Sequence, residues 1–293
     1  MQNTIDANDF YKEYYGHQIS HLRILFDGLK KQNDSKKFIY LAGDSSLDNK
    51  HWLFVDKKEK AINGYEHILK PPLMKPDVAY HMNKLLVNSD YYVLNTAIEE
   101  STLADRSNKL LAQDNFIKEN ITNDDILFVS VGGNDIALMP SFRTIGNILL
   151  MMYINNITSI KKGPDVCWGM KYFINLFKND VQKYILNIIG NKRPKKIIIS
   201  MIYYPDEKSS GGWADTTLNY LGYNSNPKKL QAAIKTIHKF ATSKINIEGS
   251  EVIPFPMFEV LNGKISEDYV QRVEPSNIGG EKLAFSLVSK YLL

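Results

Sequence analysis

Two short stretches set residues capable of chemistry beside glycines. In "LAGDSSLDN" (41–49), Gly43 lets the chain turn sharply off an apolar run, and Asp44, Ser45 and Ser46 follow at once. A serine there points its hydroxyl into the space beyond the run. A helix starting at that point would aim its first N–H groups at the same space, making an anion site or an oxyanion hole. The same residues also suit a plain helix cap. In "VSVGGNDIAL" (129–138), Gly132 and Gly133 allow close backbone approach and Asn134 can donate a side-chain N–H. A Gly-Gly turn with an Asn-Asp cap is the alternative. Together the two stretches read as a nucleophile with oxyanion donors. A third, "RVEPSNIGGEKLA" (272–284), puts Glu274 ahead of Pro275, Ser276 and two glycines. Ser276 and the glycines suit a helix entrance, which leaves the acid unexplained.

The elements that must position these residues follow from periodicity. "FIYLAGD" (38–44), "YYVLNTA" (91–97), "DILFVSVGGND" (125–135) and "KKIIISMIYYP" (195–205) are short apolar runs closed by turn residues, and so buried strands. "SEVIPFPMFEV" (250–260) is a fifth, whose two prolines suit an edge. Helical spacing covers 8–31, 76–88, 102–119, 142–156, 169–190, 227–247 and 280–292. Strands apolar throughout and alternating with helices predict an α/β protein with a parallel sheet covered on both faces. The ligand then belongs beyond the carboxyl ends of the strands, at 43–49, 96–102, 132–135 and 203–206.

The chain reads as a single domain over 1–293, with residues 1–36 a helical N-terminal extension. Segments 139–194 and 206–226 exceed what a minimal fold of this kind needs and are expected near the cleft. The second brings Trp213, Tyr220 and Tyr223 past the end of the fourth strand, as a lid, an aromatic wall or packing anchors. Trp213 and Tyr204 are the expected substrate contacts.

Gly-Asp-Ser followed by a hydrophobic residue and Asp, then Gly-x-Asn-Asp on the third strand, resembles the SGNH (GDSL-type) hydrolases. Their members are esterases, lipases, acetylhydrolases and thioesterases. Over most of 37–292 the resemblance implies a three-layer α/β/α protein with a five-stranded parallel, flavodoxin-like sheet. It implies Ser45 as nucleophile, with the Ser45 backbone N–H and the Asn134 side chain holding the oxyanion. Gly43, Asp44, Asp48, Gly133 and Asp135 are expected in the same cleft region. The family's Asn-x-Gly-x-x-Gly block aligns with "NTAIEE", where Asn95 matches but Ala97 and Glu100 stand at the glycine positions. A carboxylate at Glu100 would oppose a developing oxyanion. In the last block, Gln271 stands where the family has Asp and Glu274 where it has His. This Glu-Pro-Ser block resembles a divergent branch of the superfamily.

An ordinary Glu (~4.3) is roughly 3 kcal/mol the poorer proton acceptor than His (~6.5), a gap that burial narrows. A neutral Gln271 suits a carboxylate at 274, which a second acid would repel. Arg272 or a lysine could instead pin Glu274 as an ion pair. The six histidines read as surface or packing groups. The expectation is a serine hydrolase of a small ester or acylated substrate, needing no cofactor or metal. The alternative is a catalytically weak relative that binds an acyl, sugar or nucleotide ligand in the same cleft.

Lys and Arg outnumber Asp and Glu by 36 to 32, too evenly scattered for a nucleic-acid face. The most apolar run, "IGNILLMMYINNI", is too short and too rich in Asn to span a bilayer. The N-terminus lacks a signal-peptide pattern, and Cys167 is the sole cysteine, so a cytoplasmic location is expected. Oligomeric state is not indicated.

Overall fold

Phe38, Tyr40 and Ala42 point to one side of the first strand and Ile39 and Leu41 to the other, and all five are buried. That burial on both faces is what a run without polar alternation requires. The computed structural model describes residues 4–53, 58–138 and 140–292. Five strands, β1 (Lys37–Gly43), β2 (Tyr91–Asn95), β3 (Ile126–Ser130), β4 (Lys196–Met201) and β5 (Glu251–Pro256), form one sheet. Its order is β2-β1-β3-β4-β5 and every pairing is parallel. Pro254 and Pro256 lie in β5, an edge strand that pairs only with β4. A missing N–H costs least at an edge.

Two helical layers cover the sheet, so the three-layer α/β/α fold with flavodoxin-like strand order is as expected. One face packs on α1 (Ile19–Gln32), α3 (Ala112–Asn120), α6 (Val181–Ile189) and α8 (Pro227–Phe240). The other packs on α2 (Val78–Leu85) and α9 (Asn277–Tyr291). On the first face, α4 (Phe142–Leu149), α5 (Met170–Asn175) and α7 (Ala214–Tyr220) belong to the two elaborated segments.

Two expected helices, 8–31 and 102–119, lose their N-terminal part, and two others change geometry partway. Residues 8–31 are not continuous: a helical turn ends at Phe10 and α1 begins at Ile19. Gly16 lies between them at φ +77, where a Cβ would sit 3.1 Å from the Ala97 carbonyl oxygen, so the chain folds back there. Residues 102–110 are turns ahead of α3, because carboxylates take the N–H groups a helix would use. Asp105 accepts from Thr102, and Asp135 accepts from Leu103 and Ala104. The stretches 142–156 and 169–190 are helical but widen to π turns at Leu150–Ile154 and Leu176–Asp180.

Candidate active site

Gly43 ends β1 where a Cβ would lie 1.9 Å from the Ser130 carbonyl oxygen. Only glycine lets β1 leave the sheet beside β3. Asp44 turns inward, and its Oδ1 accepts from the Ser46 N–H at 3.1 Å and the Ser46 hydroxyl at 2.7 Å. Ser46 also hydrogen-bonds Ser130 Oγ at 2.6 Å, so it is absorbed into the support of the turn. The N–H groups of Leu47 and Asp48 close the turn on the Asp44 carbonyl. No α-helix follows Ser45, contrary to expectation; a 3-10 turn, Asn49–Trp52, stands there instead. Ser45 is left lining the cleft.

Glu274 faces it. The residue lies in a two-residue strand, Glu274–Pro275, paired antiparallel with Tyr269–Val270. The Asn49 side chain ties this segment to the serine turn. Asn49 donates to the Pro275 carbonyl at 3.0 Å and accepts from the Val78 N–H at 3.2 Å. Gly280 leaves room for that peg, since a Cβ there would stand 3.4 Å from Asn49 Nδ2. Ser276 caps α9, as its sequence suggests, by accepting from the Gly279 N–H. The glycines following Glu274 therefore serve the approach of two segments as well as the helix entrance.

The Ser45 side chain and the Glu274 carboxyl line the same end of the cleft. Burial pushes that carboxyl up to about 8; the nearby Ser45 side chain pulls it down, and the charges of Asp44, Glu100 and Asp48 push it up further. Sequence reasoning passed over a second buried acid, Glu99. Trp52 Nε1 donates to its Oε1 at 2.9 Å, and its backbone N–H donates to Asp48. Burial and the nearby Glu274 charge raise Glu99 to about 9. Oε2 of each glutamate has no partner among the described residues. Two adjacent acids before Ser101 were the available signal, overlooked because only Glu100 aligned with a glycine.

Asn134 opens a helical turn at the β3 end, and its Nδ2 donates to the Ser101 carbonyl at 3.1 Å. The second amide hydrogen remains for the cleft that Asn134 lines. Glu100 adopts φ +58, the left-handed conformation that ordinarily favours glycine. Its carboxylate accepts from Tyr14 and Tyr15 of the N-terminal segment at 2.9 and 3.3 Å, and its charge still raises Glu274.

Among the described residues, no ion pair immobilises Glu274. Arg272, fully buried, turns away to the 206–226 segment. Its Nε and Nη2 donate to the Asp206 carbonyl, and its Nη1 donates to Asp215 at 2.6 Å and to Asn224 at 2.9 Å. Gln271 accepts from the Trp213 N–H at 3.3 Å. Both residues have positive φ, 52 and 72. The strained corner thus fastens that segment over the cleft.

The other expected positions divide. Asp44, Gly133 and Trp213 line the cleft with Ser45, Asn134 and Glu274. Asp48 lies beneath, with Lys50 Nζ at 2.7 and 2.6 Å from its two oxygens. Asp135 holds the 102–104 turn. Tyr204 is off the cleft, stacked on Phe258, and its neighbour Tyr203 lines it instead. Tyr220 is exposed, whereas Tyr223 is a buried anchor donating to the Pro205 carbonyl. No histidine lines the cleft. His17 is stacked on Phe10, and His81 hydrogen-bonds Asn277. Among the described residues no cluster suited to a metal occurs.

Beyond Ser45 the cleft is apolar. Its empty space, open mouth included, is about 1040 Å³. Ile148 and Met151, Phe173 and Phe177, Leu218 and Ile234 supply much of its wall. Fold and site together define a flavodoxin-like α/β/α protein with a serine and a buried carboxyl at the strand ends, opening on an apolar chamber. No protein-family model matches the chain, and no curated protein matches it. The solved structures it is similar to include a lipase/acylhydrolase from Enterococcus faecalis, at 13% identity over 87% of this chain and 94% of that one (TM-score 0.41). Another is Est24, a carbohydrate acetylesterase from Sinorhizobium meliloti, at 13% identity over 87% and 98% (TM-score 0.45). A third is an aryl esterase from M. smegmatis, at 14% identity over 87% and 97% (TM-score 0.44).

Proposed function

We propose that the protein is an SGNH-type serine hydrolase cleaving an ester or related acyl bond, with Ser45 as nucleophile and Glu274 as its base. The observation that carries this reading is Ser45 set beside a buried carboxyl, Glu274, at the polar end of an apolar chamber. The hydroxyl oxygen attacks the acyl carbon as its proton passes to Glu274. The carbonyl oxygen becomes an oxyanion, held by the Ser45 N–H and the free amide hydrogen of Asn134. Collapse expels the alcohol, which takes the proton from Glu274 and leaves an acyl-serine. Water then repeats the sequence and releases the acid. A carboxyl raised to about 8 is a base better matched to a serine than an ordinary glutamate, although it carries its proton through much of the neutral range. The apolar wall favours acyl groups longer than acetyl.

Fluorophosphonate labelling and a series of p-nitrophenyl esters of increasing chain length test the reading. Labelling and turnover are expected in the parent, strongest for longer chains, and Ser45→Ala abolishes both. Equal inertness of parent and variant across the series sinks it. A second reading, that the cleft holds an acyl ligand without cleaving it, is favoured by the same raised carboxyl, protonated at pH 7. It requires fatty-acid binding that Ser45→Ala leaves intact, with no labelling of either protein.

A further inference from the structure

The 140–194 segment has two apolar faces where one would suffice. Ile148 and Met151 face the chamber. On the outer side Phe142, Ile145, Leu149 and Tyr153 recur at helical spacing and are exposed, Phe142 at 94% and Tyr153 at 57%. Ile154 continues the stripe at 67%. Trp168, also 67% exposed, is held beside it by paired hydrogen bonds between its backbone and the Asn155 amide. The Tyr153 hydroxyl donates to the Tyr220 carbonyl, which joins this face to the α7 wall of the cleft. Scattered apolar residues are ordinary on a surface, but a contiguous set of this size marks an interaction site.

Charge identifies the partner. Residues 140–194 hold eight Lys and Arg against two Asp, an excess of six, whereas the whole chain has an excess of four. The remainder of the molecule is therefore slightly acidic, and the basic excess is concentrated on the segment that carries the apolar stripe. Arg143, Lys161, Lys162 and Lys171 are all exposed there. Protruding Phe, Trp, Tyr and Ile side chains flanked by cations match the interfacial zone of a bilayer, where aromatic rings sit at headgroup level and anionic lipids attract Lys and Arg. A protein partner would instead need hollows shaped to each protrusion, and interface cores are poor in lysine. We propose that this face docks the protein on an anionic lipid surface, with the mouth of the apolar chamber at its margin.

The test uses the full chain with phosphatidylcholine vesicles, with and without phosphatidylglycerol, in a sedimentation assay that needs no enzymatic activity. Binding is expected on the anionic vesicles, with a blue shift of tryptophan emission that Trp168→Phe diminishes. It should weaken between 0.05 and 0.5 M salt, as screening requires. Phe142→Ser with Leu149→Ser should lower partitioning more than tenfold while leaving the thermal transition in place, since both side chains are solvent-exposed. Lys161→Glu with Lys162→Glu should lower it on anionic vesicles alone, by about fivefold or more per lysine, the factor equivalent to ~1 kcal/mol per basic residue near such a surface. Failure to bind anionic vesicles, or binding indifferent to both variants, overturns the proposal. So does a stable dimer in light scattering that the Phe142 and Leu149 substitutions dissociate, which would assign the face to a second copy of the chain.

Discussion

Glu274 is raised by burial and by a ring of other acids, while the nearby Ser45 side chain opposes that rise. A base must be ionised to accept the serine proton, so turnover should climb with pH through about 8. Glu99 contributes to the shape of that profile. Its own proton is held by burial and by the Glu274 charge, so the two acids resist ionising together. Glu99→Gln keeps an acceptor for Trp52 and removes the acid that titrates above Glu274. Glu99 is still protonated while Glu274 ionises, so the midpoint of the rate-against-pH curve is expected to stay near 8 in initial-rate measurements on a p-nitrophenyl ester, with any further change above about pH 9 lost. A midpoint displaced by a unit or more would contradict this order of ionisation.

Among the elements, the connection that matters is the one between the 3-10 turn after Ser45 and the segment ahead of α9. Asn49 makes it with a donor bond to Pro275 and an acceptor bond from Val78, both buried. Asn49→Ala strands a carbonyl and an N–H, at about 1–3 kcal/mol each before relaxation. The stability loss should appear as a lower melting temperature. More telling is the kinetics: Asn49 lies outside the cleft, so kcat should fall on the order of tenfold with KM little changed. An equal loss in KM would mean that the cleft itself had collapsed. A second fastening, Arg272 to Asp206, Asp215 and Asn224, secures the 206–226 segment above the cleft. An arginine read from the sequence as a partner for Glu274 thus serves the cleft wall.

Across the whole molecule, buried acids set an unusual pH dependence of stability. Asp44 and Asp77 are raised by burial to about 6, Glu274 to about 8 and Glu99 to about 9. Unfolded, each would ionise near ~4. Their contribution is therefore complete below that pH and is lost as pH rises through the folded values. Calorimetry should show the melting temperature falling from about pH 5.5 to pH 9, with the upper half of the fall reduced in Glu99→Gln. A melting temperature rising over this range would contradict the assignment. In the proposed mechanism, the ionisation that would make Glu274 a base is also one that destabilises the fold, a compromise common where activity needs a buried charge.

Much of this was legible in the chain alone. Five apolar runs, each closed by turn residues, dictate a parallel sheet covered on both faces, and even the β5 edge follows from Pro254 and Pro256. Local patterns of this kind report burial directly, because burial selects residue type position by position. Gly43, Ser45 and Asn134 could be read as cleft residues because strand ends converge on one edge of such a sheet. What adjacency in sequence could not supply was the partner of each polar side chain. The partners of Glu100 are Tyr14 and Tyr15, some 85 residues earlier in the chain. Tyr204 and Tyr203 are neighbours in sequence on opposite sides of an extended backbone, and only packing decided which one faces the cleft. The false continuity of 8–31 and 102–119 has the same origin: apolar spacing reports which side is buried, while Gly16 and the Asp105 and Asp135 carboxylates decide where backbone N–H groups are satisfied. The sequence alone determined the sheet and the candidate nucleophile. The tertiary structure decided that Glu274 is buried against Ser45 and unpaired by Arg272, because proton affinity depends on surroundings assembled from distant parts of the chain.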